Sequence, residues 1–288
     1  MTRLRRLRRL IAMAPLLTLG GCSALRLGFL NAAGPVAGGE RHLCMVVLAV
    51  CIFVAGPVLL LTPIIAWHYR LSNSKSAYRP DWDFSWPLEG LIWIPPAGIV
   101  VGLAFLLWPD THAYDPYAPI AGEQPAIEVQ AVGLDWKWLF IYPDAGVATV
   151  NQLAIPVGHS VRIMLTSGTV MQSMLVPRLA GQIYAMAGMM TELNLAADSP
   201  GTFEGENTQF NGDGFQRQKF DVLAMSPGDY AQWLERVRQS SRPLDAAAYA
   251  QLFRRSVAAS PVFYSSVPAG LFQTIMAQSR AGAAETTK

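Results

Sequence analysis

Cysteine is nearly missing from this 288-residue sequence: there are three, and none lies beyond residue 51. Three thiols cannot build a disulfide framework, and a region with none cannot assemble a thiolate metal centre. Histidine is equally scarce. His42, His68, His112 and His159 stand singly, without the close pairing that marks imidazole ligands, which leaves them structural or solvated roles. Charge is short as well, at 15% against 52% apolar residues, with a mean hydropathy of +0.27. So apolar a balance points to membrane segments. The net charge of +2 hides an uneven distribution. Arg3, Arg5, Arg6, Arg8 and Arg9 crowd the start, whereas residues 110–288 hold 12 basic and 16 acidic side chains. A mildly acidic region lacks the electrostatic footprint of a nucleic-acid binder. No nucleophile elbow, P-loop or dinucleotide fingerprint is found, and no internal repeat.

What is present begins with a basic stretch over residues 1–9 and an apolar one over 10–19. About 20 apolar residues are needed to span a bilayer, so this shorter run reads as a secretory signal. Leu19-Gly20-Gly21-Cys22 then resembles a bacterial lipobox, in which the cysteine accepts a diacylglycerol. On that resemblance residues 1–21 are a lipoprotein signal peptide and residues 22–42 a lipidated N-terminal segment beginning at Cys22. A plain signal with an incidental cysteine is the competing reading. Cys44 and Cys51 fall inside the next apolar run and read as small buried hydrophobes.

Residues 43–67 contain no charge, nor do residues 91–108. Both runs are long enough for membrane helices, giving a two-helix transmembrane hairpin over 43–109. Trp67, Trp86, Trp93 and Trp108 lie near the ends, where indole favours the interface. Pro57, Pro63, Pro95 and Pro96 are tolerable within such spans. The short connection carries Arg70, Lys75 and Arg79, which marks it as cytoplasmic and puts both flanking regions outside. Beyond residue 110 the pattern becomes alternating, with strand-like runs at 127–131, 134–138, 161–166 and 193–196 separated by Pro- and Gly-bearing turns. That texture predicts a β-sandwich over 110–225. From 226 to 288 the pattern turns helical, at 230–237 and 244–257, followed by Phe263, Tyr264 and Phe272. The fold class is therefore membrane α plus all-β, with a C-terminal helical, aromatic-bearing region.

The β region resembles subunit II of the haem–copper terminal oxidases. The segments that carry the resemblance are Leu134-Asp-Trp-Lys-Trp-Leu-Phe-Ile-Tyr-Pro143, Thr166-Ser-Gly-Thr-Val-Met-Gln-Ser-Met-Leu-Val-Pro-Arg-Leu179, Gly181-Gln-Ile-Tyr-Ala-Met-Ala-Gly188 and Pro200-Gly-Thr-Phe-Glu-Gly205. It implies a cupredoxin-like domain. In the cytochrome c-oxidising branch that domain holds a dinuclear copper centre, whose ligands include bridging thiolates, imidazole and thioether. At the corresponding positions stand Gln172 for a histidine, Asn207 and Asn211 for the two cysteines, and Gln209 for the glutamate between them. Phe215 replaces the second histidine and Gln218 the methionine. The resemblance is thus to the quinol-oxidising branch, and the segments at 133–143 and 182–189 are similar to its bo-type ubiquinol oxidase members. It departs from them at Gln218, where a methionine is usual.

That branch implies a non-catalytic subunit of a proton-pumping oxidase in the bacterial inner membrane, with its large domain periplasmic. The expected partners are subunit I, which would hold the haems and copper, then subunits III and IV, membrane lipid, and ubiquinol through the complex. No cofactor is expected in this chain. Glu89, at the opening of the second span, resembles the mouth of a proton pathway, although an interfacial acid touching water is an equal reading. Trp136 matches the tryptophan that accepts electrons in the copper branch, but packing is its expected role here. A stand-alone cupredoxin-like lipoprotein and a copper-bearing cytochrome c oxidase subunit remain the alternatives.

Overall fold

The computed structural model describes residues 28–74, 81–122 and 124–286. These fall into two compact units: Arg41–Asp115, and the remainder up to Glu40 and from Pro116 onward. The first unit is built from apolar helices. Helix α1 spans Pro35–His68 and begins in the other unit, and helix α2 spans Trp86–Ala113. At about 1.5 Å per residue each exceeds the roughly 30 Å of a bilayer's hydrocarbon core. Both run past the uncharged stretches, taking in charged residues such as Glu40, Arg41, Glu89 and Asp110. The apolar window of each is unburied, and Leu59 and Phe105 are 72% and 79% exposed. Such a surface is stable only against lipid or other apolar partners. Cys44 is half-buried and Cys51 exposed, a correction to the expectation of burial. The apolar surface of this helix is left uncovered along that stretch, so there is no core in which to hide them.

Among the described residues the second unit contains eleven strands: β1 Ile127–Leu134, β2 Lys137–Tyr142, β3 Val147–Val150, β4 Gln152–Pro156, β5 Ser160–Ser167, β6 Gln172–Val176, β7 Ala180–Ala185, β8 Thr191–Ala196, β9 Gly201–Asn207, β10 Lys219–Met225 and β11 Val262–Tyr264. They form a six-stranded sheet in the order β11-β3-β2-β1-β5-β8 and a five-stranded sheet in the order β4-β10-β9-β6-β7. Pairing is antiparallel except for β1 with β5 and β4 with β10. The period-2 alternation of β2 explains its use. Trp138, Phe140 and Tyr142 enter the core between the sheets, while Leu139 and Ile141 face a second apolar cluster outside. The C-terminal region supplies that outer cover, through Leu244 ahead of the helix at Ala246–Phe253 and through Phe272 and Ile275.

Helix α3 covers Pro227–Arg238, capped by Ser226, whose hydroxyl accepts from the Asp229 N–H. Helix α4 covers Ala246–Phe253 and helix α5 Leu271–Thr286. The region after 226 is not wholly helical, because β11 adds to the edge of β3. The run at 134–138 also differs from the expected strand. It is a hairpin in which Leu134 pairs with Lys137, and Asp135 and Trp136 form the turn. Trp136 takes φ 67°, a left-handed conformation that breaks the strand despite the alternating pattern.

The segment before α1 is fastened to the sandwich. Ala33 N–H donates to Arg178 O, and the Asp198 N–H to Ala33 O, each at 2.8 Å. Gly34 is required there: a Cβ would lie 2.2 Å from Ala196 O.

Candidate functional site

Four of the six positions singled out in the sequence converge. Gln172 opens β6, Asn207 closes β9, and Asn211 and Gln218 lie on the loop that follows, which includes a 3-10 turn at Phe215–Arg217. Gln218 is fully buried and sits at the centre. Its Nε2 donates to Gln172 Oε1 at 2.5 Å and to the Leu134 carbonyl at 3.2 Å. Its Oε1 accepts from Asn207 Nδ2 at 3.0 Å and Asn211 Nδ2 at 2.7 Å. Gln172 Nε2 reaches the same Leu134 carbonyl at 3.2 Å and Thr169 Oγ1 at 3.3 Å. Asn207 Oδ1 accepts the backbone N–H of Ser173 and of Gln209, and its Nδ2 also donates to Gln209 O. Short side chains that accept from the backbone two residues on favour such a tight loop.

The other two positions take different roles. Gln209 contributes its backbone to the network. Phe215 packs edge-on against Phe210, ring centres 5.6 Å apart. Trp136 lies on the loop: its Nε1 donates to Asn211 O at 3.2 Å, and a Cβ on Gly214 would come within 2.2 Å of its ring. This is the packing role expected of it. Gly133 is a member the sequence reading did not single out. A Cβ there would stand 2.7 Å from Gln172 Oε1, so only glycine lets that amide lie against β1. The signal was visible as a glycine inside an apolar strand, which marks a close approach.

This donor set does not fit copper. Neutral amide nitrogens carry no available lone pair, and the amide oxygens of Gln172, Asn207 and Gln218 already accept hydrogen bonds. Among the described residues no group of three or more His, Cys, Asp or Glu side chains could hold a metal ion. Two of the histidines are engaged locally: His159 Nε2 lies 2.7 Å from Gln124 Oε1, and His112 Nδ1 lies 2.7 Å from Trp108 O. Glu89 occupies the first turn of α2, and its Oε2 accepts from Trp93 Nε1 at 3.0 Å. Cys22 lies outside the described residues.

Two family profiles match. Residues 145–217 match the periplasmic domain of cytochrome c oxidase subunit II, and residues 238–279 the COX aromatic-rich motif. The chain is 41% identical over 278 residues to ubiquinol oxidase subunit 2 of Acetobacter aceti, covering 96% of this chain and 89% of that one. It is 39% identical over 266 residues to cytochrome bo(3) ubiquinol oxidase subunit 2 of Pseudomonas aeruginosa, covering 92% and 80%. Identity to quinol oxidase subunit 2 of Bacillus subtilis is 33% over 236 residues, covering 81% and 73%. Two apolar helices, a periplasmic-type β-sandwich, an aromatic-rich C-terminal region and these near-complete alignments together place the chain in the family of subunit 2 of the ubiquinol oxidases.

Proposed function

We propose that this chain is the non-catalytic subunit of a proton-pumping ubiquinol oxidase, which oxidises quinol and reduces oxygen to water. The observation that carries the reading is the hydrogen-bonded cluster of Gln172, Asn207, Asn211 and Gln218. Where the copper branch relays electrons from cytochrome c, four neutral, mutually bonded amides offer no group that changes oxidation state. Electrons from quinol then pass directly into a partner chain, subunit I, where haem and copper belong. This chain supplies a membrane anchor and an outer scaffold for assembly with subunits I, III and IV in the bacterial inner membrane.

Glu89 is proposed as a proton-uptake group. Its carboxylate sits at the positive end of the α2 dipole, oriented by the Trp93 indole. Cys22 is proposed as the lipid attachment, leaving a mature chain from residue 22 onward.

The test is purification of the complex from membranes through a tag on this subunit. Oxygen uptake driven by a short-chain ubiquinol, with none driven by reduced cytochrome c, is expected. Purification without a haem-bearing partner would favour the stand-alone lipoprotein. A dinuclear copper signal from this subunit would restore the cytochrome c reading.

A further inference from the structure

On the outer face of the six-stranded sheet, a cavity of about 570 Å³ lies between β2, β3 and β11 and the segment 241–258. That volume is within the range of small-molecule sites. Lys137 and Arg242 face it, with Ser241, Asp245, Ser256 and Tyr264.

Lys137 is only 1% exposed. Its ammonium donates to Arg254 O at 2.8 Å, Ser256 O at 3.0 Å and Ser256 Oγ at 2.7 Å. All three N–H groups are thus spent, but on dipoles. Asp135, the acid whose charge reaches it, is paired with Arg255 at 3.0 Å. A buried cation whose direct partners are all dipoles, and whose nearby acid is shared with Arg255, keeps a positive potential in the wall. Arg242 brings a second positive charge and forms no ion pair among the described residues. The one acid on the wall, Asp245, is engaged, its Oδ1 accepting from Ala248 N–H at 2.7 Å. Two cations therefore face a single carboxylate already committed to capping α4.

We propose that this cavity binds a phosphoryl oxyanion, either free phosphate or the headgroup of an anionic phospholipid. The Arg242 guanidinium grips two oxygens in its planar fork, as that group does with phosphates generally. The Ser241 and Tyr264 hydroxyls donate to the others. Lys137 makes no direct bond and supplies the field that favours an anion. A carboxylate would be satisfied by the fork alone, whereas a tetrahedral oxyanion uses the hydroxyls as well.

The experiment is calorimetric titration of the full-length protein in neutral detergent at constant ionic strength. The probes are inorganic phosphate and, separately, a short-chain phosphatidylglycerol. Saturable binding is expected for at least one, weakened about tenfold or more in Arg242→Gln. Arg242→Lys, which keeps the charge and loses the fork, should fall between. Melting temperatures in phosphate-free buffer separate lost binding from lost folding, and Arg242→Gln should leave them unchanged because the residue is exposed. Saturation by phosphate identifies the free anion; saturation by phosphatidylglycerol alone identifies the headgroup. No saturation by either probe, or equal affinity in Arg242→Gln, overturns the proposal.

Discussion

Gln218 donates to Gln172 and to the Leu134 carbonyl, and accepts from Asn207 and Asn211. Replacing it with alanine takes their hydrogen-bond partner from Gln172 Oε1 and Asn211 Nδ2, and each orphan costs about 1–3 kcal/mol. Gln218→Ala should lower the melting temperature of the purified subunit by several degrees, a size expected for such a loss. Gln218→Met, which restores volume without the amide, should recover little of it. Gly133→Ala pushes a methyl against Gln172 and should destabilise by about 1–3 kcal/mol. In Gln172→Ala that cost should shrink, because the colliding amide is gone. Equal costs in both backgrounds, measured as melting shifts, would contradict the contact. The tyrosines give a pH prediction. Burial raises Tyr230 and Tyr249 from 10 to about 12, and Tyr142 also lies well above its ordinary value. A raised folded value means the native state keeps protons that the unfolded chain has released. Stability is therefore full below pH 10 and falls as pH rises from 10 to about 12. Absorbance at 295 nm should show these phenols ionising late, followed by unfolding.

At the level of the element, alternation exposed most strands because one side chain in two meets a packed face. It failed where both faces are covered or where a local conformation intervenes. The stretch at 134–138 alternates well, yet Trp136 turns the chain, and its left-handed φ leaves no mark in a polarity pattern. The three-residue β11 is too short to show a period and exists only because β3 offers an edge. The amide positions could be named from motif correspondence, but their mutual bonding depends on bringing together β6, β9 and the β1–β2 turn. Capping was readable in principle and carries a prediction. Asp245 accepts the Ala248 N–H at the start of the eight-residue α4. Asp245→Ala should cost about 1 kcal/mol, and faster amide exchange confined to α4 would reveal it.

For the whole molecule, the apolar exposure of α1 and α2 fits an integral membrane protein. Washing membranes with alkaline carbonate, which strips proteins held only by surface contacts, should leave it in the pellet. Recovery in the supernatant would refute the spanning assignment.

The pairing of β11 with β3 also fixes when the domain can be finished during synthesis. β1 to β10 emerge as one continuous series ending at Met225, but one flank of β3 stays open until Val262–Tyr264 has been made and delivered across the membrane. During that interval an unpaired strand edge invites association with neighbouring chains. A premature stop between α4 and β11 would therefore yield a nearly complete sandwich that is vulnerable to aggregation and proteolysis. The six-stranded sheet therefore gains its last strand only once translation has passed Tyr264.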